Sequence, residues 1–223
     1  MSIAQNLQQI KSEIPENVTL VAVSKTKPVE DILEAYNAGQ RIFGENRVQE
    51  MTQKWQELPK DIEWHMIGNL QRNNVKYMAE YVSLIHGVDS FKLLKEINKQ
   101  AEKHSRVINC LLQIKIAQEN TKAGMTPEEA YQLLHSKETA SLKNINITGL
   151  MGMATFTDDQ KQVDEEFKLL KSTFNKLKNY TTLNFNPTTI SMGMSGDYQL
   201  AIENGSNMIR VGSSIFGSRN YNI

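Results

Sequence analysis

Short β-branched and aliphatic runs alternate with longer amphipathic stretches along the whole chain, and this alternation limits the fold more tightly than any single motif. Strand-like runs read "VTLVAVS" (18–24), "RIFG" (41–44), "IEWHMIG" (62–68), "VSLIHGV" (82–88), "RVINCLLQIKI" (106–116), "INITGLMGM" (145–153), "TTISMG" (188–193) and "NMIRVGSSIFG" (207–217). Helical patterns stand between them: "PVEDILEAYNAG", "NRVQEMTQKWQEL", "QRNNVKYMAEY", "DSFKLLKEINKQAEKH", "TPEEAYQLLHSK", "DDQKQVDEEFKLLKSTFNKLKNY" and "GDYQLAIENG". One more helix, with apolar Ile3, Leu7, Ile10 and Ile14, precedes the first strand. Regular βα alternation means parallel strands covered by helices. Eight such strands predict a closed (β/α)8 TIM-type barrel with an extra N-terminal helix, a single α/β domain over residues 1–223. A doubly wound open sheet is the alternative.

Composition narrows the function. Lys+Arg and Asp+Glu both total 25, so the formal net charge is zero and nothing global draws the chain to nucleic acid or anionic lipid. The single cysteine, Cys110, excludes an internal disulfide and a Cys-rich zinc site; inside "VINCLLQIKI" it reads as an inert core thiol. No apolar stretch approaches the roughly 20 residues of a membrane span, and the N-terminus lacks a signal-peptide apolar region. A cytoplasmic protein is expected. The four histidines show no metal spacing: His65 and His86 read as buried and satisfied, His104 and His135 as surface residues.

A barrel places its chemistry at the C-terminal ends of its strands. "VAVSKTKP" puts Lys25 and Lys27 just past the first strand, where alternation would let both face one side, Lys25 the more rigidly. The last two ends, "SMGMSGD" and "RVGSS", offer glycines, hydroxyls, helix N-termini and Arg210, the composition of a phosphate cup. Because the eighth strand closes beside the first, Lys25 is expected within reach of that cup. A partly desolvated lysine there becomes a nucleophilic amine. An amine beside a phosphate suits pyridoxal 5′-phosphate, held as a Schiff base. It also suits a sugar phosphate, with Lys25 as Schiff-base former or simple counter-charge.

The segments "VAVSKTKP", "FGENRVQE", "WHMIGNLQ", "GLMGMATF" and "SMGMSGDYQLAIENGSNMIRVGSSIFG" resemble the signatures of the pyridoxal phosphate homeostasis proteins, which are similar to the N-terminal barrel of alanine racemase. The resemblance runs from the first strand to the C-terminus. It implies that Lys25 carries pyridoxal 5′-phosphate as a Schiff base. It implies phosphate contacts from Ser191, Gly193, Arg210, Gly212 and Ser213, with Asn46 near the ring. Two positions depart from the family pattern. Ser213 stands where threonine is common and keeps a hydroxyl; Asn74 in "LQRNN" replaces a usual lysine, whose place Arg72 or Lys76 could take. Lys122 in "TKAG" is a candidate for a second, non-covalent phosphate contact.

The racemases carry a second domain that donates a catalytic tyrosine, for which this chain leaves no room after Gly217; Tyr198 and Tyr221 read as surface or packing residues. If Arg210 faces the ring nitrogen, that nitrogen stays unprotonated and carbanion stabilisation weakens. The expected function is therefore intracellular homeostasis of this vitamin B6 cofactor, holding it without robust catalysis. Apo forms of pyridoxal-phosphate enzymes or B6-salvage enzymes are the candidate partners; no membrane, metal or nucleic-acid partner is expected, and the chain is expected to be a monomer. The alternative is an amino-acid racemase or another small pyridoxal-phosphate enzyme.

Overall fold

A computed structural model describes residues 2–118, 123–180 and 182–217. Eight parallel strands close into a barrel in chain order, β8 pairing with β1, so the (β/α)8 expectation holds. The strands are β1 (Thr19–Val23), β2 (Ile42–Glu45), β3 (Glu63–Met66), β4 (Leu84–Val88), β5 (Ile108–Gln113), β6 (Ile145–Met151), β7 (Phe185–Ser191) and β8 (Met208–Val211). Helix α1 (Ile3–Glu13) precedes them; α2 (Val29–Asn37), α3 (Val48–Glu57), α4 (Phe91–Lys103), α5 (Pro127–His135), α6 (Lys137–Ala140), α7 (Gln160–Leu177) and α8 (Tyr198–Glu203) connect them, and α9 (Ser213–Phe216) follows β8. No helix of the described residues is long and apolar enough to cross a membrane.

Strand alternation sorts the apolar residues into two layers. Val21, Leu84, Leu111, Met151 and Met208 fill the barrel interior, with Ile42 and Met153 packed against them. Their sequence neighbours, such as Ala22, Phe43, Ile85, Leu112 and Ile209, face outward into the larger core beneath the helices, where Trp64, Phe167 and Phe185 are also buried. Residues two apart share a face, so the inner side of each strand can be followed upward to the mouth.

Three connections differ from the sequence expectation. The segment 71–81 contains a 3₁₀ helix, Arg72–Tyr77, rather than an α-helix. Adjacent Asn73 and Asn74, both weak α-helix formers, fall inside it. The segment 126–137 breaks at Ser136, which ends α5 and caps α6 by accepting from the Thr139 N–H at 3.1 Å. Strand β7 starts at Phe185, before "TTISMG", with a register shift against β6 between Ile147 and Gly149. Elsewhere the caps are legible: Ser90 opens α4, and Thr126 with Glu129 forms a capping box on α5.

Candidate functional site

Strand β1 delivers a lysine to the barrel mouth. Its ladder to β2 continues through the Ser24 N–H, which donates to the Gly44 carbonyl at 3.1 Å. Val21 faces inward and Ser24, whose hydroxyl donates to Glu45 Oε1 at 2.6 Å, faces outward. Lys25 therefore leaves the strand on the inner side. Thr26 then takes φ 63°, a left-handed conformation that a β-branched residue rarely adopts. This kink ends the alternation, so Lys27 does not share the side of Lys25. Its Nζ instead donates to the Phe216 carbonyl, at the end of α9, at 2.7 Å.

The kink is held from beneath by a buried ion cluster. Lys54 of α3 directs its three N–H groups to the Ser24 carbonyl (2.8 Å), Glu45 Oε1 (2.8 Å) and Glu50 Oε1 (2.7 Å). Glu50 Oε1 also accepts from the Thr26 N–H at 2.6 Å. A left-handed β-branched residue costs of order 1–3 kcal/mol. A hydrogen bond to a charged group returns about 1.5–3 kcal/mol, so these bonds can hold the kink. Burial raises the Glu45 carboxyl above its ordinary value against the opposing pull of Lys54. Sequence reading missed this cluster, because a glutamate four residues before a lysine looks like an ordinary helix-surface pair.

The strand across the closing seam supplies the other wall. Register pairs Ala22 with Val211, and a Cβ on Gly212 would sit 3.2 Å from the Val23 carbonyl oxygen, so Gly212 lies against the end of β1. Exposed Ser213 and Ser214 follow. From the β7 loop, Ser195 accepts from the Gly212 N–H at 3.1 Å, joining the two loops. Gly193 sits at φ 98° with Ala201 and Tyr198 crowding its α-carbon, a position open only to glycine. Ser195, Gly196, Asp197 and Ser214 also border an open cleft of about 660 Å³ lined mainly by α1, the start of α7 and α8.

Beneath the mouth runs a buried polar chain. Arg210, 4% exposed, donates from Nη1 to Ser191 Oγ (2.6 Å) and from Nη2 to the Gly152 carbonyl (3.1 Å). Ser191 Oγ lies 3.1 Å from His86 Nδ1, and His86 Nε2 lies 3.1 Å from His65 Nδ1. With Arg210 donating into Ser191, the serine hydroxyl can donate to His86 Nδ1, which leaves His86 Nε2–H to donate to His65. Burial drives both imidazoles toward the neutral form, His65 down to about 3 and His86 well below its usual value, where His65 and Arg210 add to the effect. Burial also brings Arg210 down to about 10, which leaves it charged at neutral pH. Ser191 is thus fully buried and engaged beneath the mouth, whereas Ser195 in the same loop meets Gly212 of the β8 loop.

Asn46, one residue past β2 and on its inner side, has a buried Oδ1 without a hydrogen-bond partner, an acceptor that a ligand hydroxyl could satisfy. Among the other candidates, Arg72 is exposed, and Lys76 lies 4.8 Å from the Tyr77 ring centre. The Tyr198 hydroxyl donates to Glu13 at 2.7 Å, tying α8 to α1, and burial together with Glu13 pushes the phenol up to about 12. Cys110 is fully buried, and burial pushes its thiol far up. Lys122 and Tyr221 lie outside the described residues. Among the described residues no cluster of three metal-ligating side chains occurs.

The family model "Alanine racemase, N-terminal domain" matches residues 1–220. A pyridoxal phosphate homeostasis protein of Pasteurella multocida is 40% identical, over 99% of both chains. One of Schizosaccharomyces pombe is 39% identical, over 96% of this chain and 91% of its own. Among solved structures, PipY of Synechococcus elongatus with pyridoxal phosphate bound is 35% identical and superposes with a TM-score of 0.87, covering 97% of this chain and 100% of its own. Alanine racemase of Clostridium difficile, 16% identical with a TM-score of 0.78, covers 99% of this chain and 60% of its own and shares the fold.

Proposed function

The chain belongs to the pyridoxal phosphate homeostasis protein family, and from that premise we propose that it binds pyridoxal 5′-phosphate at the barrel mouth with Lys25 as the covalent anchor. The observation that carries this reading is that the end of β1, which Lys25 follows by two residues, closes against β8 with Gly212 packed on Val23. The donor set fits the group: an amine for the aldehyde, hydroxyls and backbone N–H groups of the β7 and β8 loops for the phosphate, and a fixed guanidinium below. When bound, the cofactor supplies an aldehyde carbon to which the neutral lysine amine adds with loss of water, forming a Schiff base.

Ser195, Ser213, Gly193 and Gly212 shape the phosphate cup, and Asn46 offers its unpartnered oxygen toward the ring. Ser191 acts through Arg210, holding the guanidinium in place. If Arg210 faces the ring nitrogen, its charge would favour holding the cofactor over using it as an electron sink. The biological role that follows is storage of the cofactor in the cytoplasm and its exchange with apo-enzymes or salvage enzymes.

The purified protein, reconstituted with pyridoxal 5′-phosphate, is expected to absorb near about 420 nm. Lys25→Ala should lose that band, and borohydride reduction followed by peptide mass spectrometry should place the pyridoxyl group on Lys25. Absence of the adduct would leave Lys25 as a phosphate counter-charge and defeat the reading. Steady, catalytic deuterium exchange at Cα of amino acids would convert it to an enzyme.

A further inference from the structure

We infer that Lys54 is a positioning residue for Lys25: with Glu45 and Glu50 it aims the anchoring amine without itself entering the mouth. The inference rests on the proposed role of Lys25 and goes beyond it.

One cluster holds both peptide groups that flank the Lys25 α-carbon. On one side the Ser24 carbonyl accepts from Lys54 Nζ at 2.8 Å, and on the other the Thr26 N–H donates to Glu50 Oε1 at 2.6 Å. Glu45 fixes the Ser24 side chain on the outer face at 2.6 Å, which commits Lys25 to the inner one. Lys54 binds all three components, and every N–H of its ammonium group has an acceptor. Its side chain is 7% exposed and that of Glu45 is not exposed at all, so water offers no ready substitute for either partner. The cluster lies between β1, β2 and α3, on the opposite side of β1 from the mouth, and adds no ligand contact. What it can change is how often the amine lies where an anchored aldehyde would meet it. Intramolecular capture depends steeply on such alignment.

A structural prop and a positioning residue differ in what they do to two ligands. Pyridoxine 5′-phosphate carries the same ring and phosphate but no aldehyde, so it reports the cup and ring contacts without the amine; pyridoxal 5′-phosphate reports them with the amine. In Lys54→Met the affinity for pyridoxal 5′-phosphate should fall about tenfold or more, because covalent capture is alignment-limited. The affinity for pyridoxine 5′-phosphate should stay within about twofold, since the cup is untouched. Glu50 has a side chain 23% exposed, and Glu50→Gln keeps the Lys54–Glu45 pair, so it serves if Lys54→Met does not fold. It should show the same selective loss at smaller size, about threefold, because a neutral acceptor makes the weaker bond. Equal losses for both ligands, or no loss for either, in whichever variant folds overturn the inference. A wild-type protein that binds the two ligands equally and forms no borohydride-trapped adduct instead overturns the role of Lys25.

Discussion

Two residues near the mouth do work that only their own chemistry permits. Gly193 occupies the left-handed region, and a Cβ there would approach the Ala201 Cβ to 2.7 Å. Gly193→Ala should cost about 1–3 kcal/mol from backbone strain alone, with crowding adding to it, read as a lower urea midpoint. Ser191 is the acceptor that holds Arg210 and the neighbour of His86. Ser191→Ala leaves a buried guanidinium N–H and an imidazole nitrogen without partners, at a cost of about 1–3 kcal/mol. An unchanged urea midpoint would show that water replaces the hydroxyl. The sequence singles out Lys25 because a lysine ending an apolar strand has few readings. It did not separate Lys25 from Lys27, since alternation assumes extended backbone and Thr26 breaks that assumption. Nor did it separate Ser191 from Ser195: both are serines in one glycine-rich loop, and only the depth of the strand end decides which meets the arginine.

Between elements, the loops of the mouth are tied by carboxylates on helices as well as by direct contacts such as Ser195 with Gly212. Glu166 of α7 shows this. Its Oε1 accepts from the Gln118 N–H (3.1 Å) and the Thr155 hydroxyl (2.7 Å), and its Oε2 from the Thr155 N–H (2.6 Å). Burial alone would raise this carboxyl, but the bonds from Thr155, Gln162 and Gln118 outweigh it and hold the group below 4.5. A carboxyl depressed in the folded state adds stability that is present above its unfolded value and disappears as pH falls through the lower folded value. Stability should therefore decline below about pH 4.5, and Glu166→Gln should flatten that decline. Parallel acid limbs for the two proteins would remove Glu166 from the account. No spacing rule exposes such a tie, because Gln118 and Thr155 lie on different loops. Helix and strand identities were far easier to read, since each rests on a local period or cap. The 3₁₀ helix at Arg72–Tyr77 and the break at Ser136 escaped because hydrophobic period decides neither; at Ser136 a side-chain bond to the backbone ends the helix.

At the scale of the whole molecule, closure is what makes the site. β1 and β8 stand at opposite ends of the chain, and their pairing brings the end of β1, two residues before Lys25, against Gly212. A ligand gripped from both sides of that seam stabilises the folded state by mass action, and its effect on melting tests the seam as a unit. At a hundredfold excess over the dissociation constant, binding adds about 2.7 kcal/mol. For a chain of 223 residues, each kcal/mol moves the melting temperature by about 2–4 °C, so the total rise should be about 5–10 °C. Pyridoxine 5′-phosphate, which has no aldehyde for Lys25 to hold, should raise it less at the same concentration. In Lys25→Ala the two ligands should become equivalent, because the β1 side of the grip is gone. If Lys25→Ala instead keeps the full difference between them, the aldehyde is being captured elsewhere, and the closing seam is not where the cofactor is held.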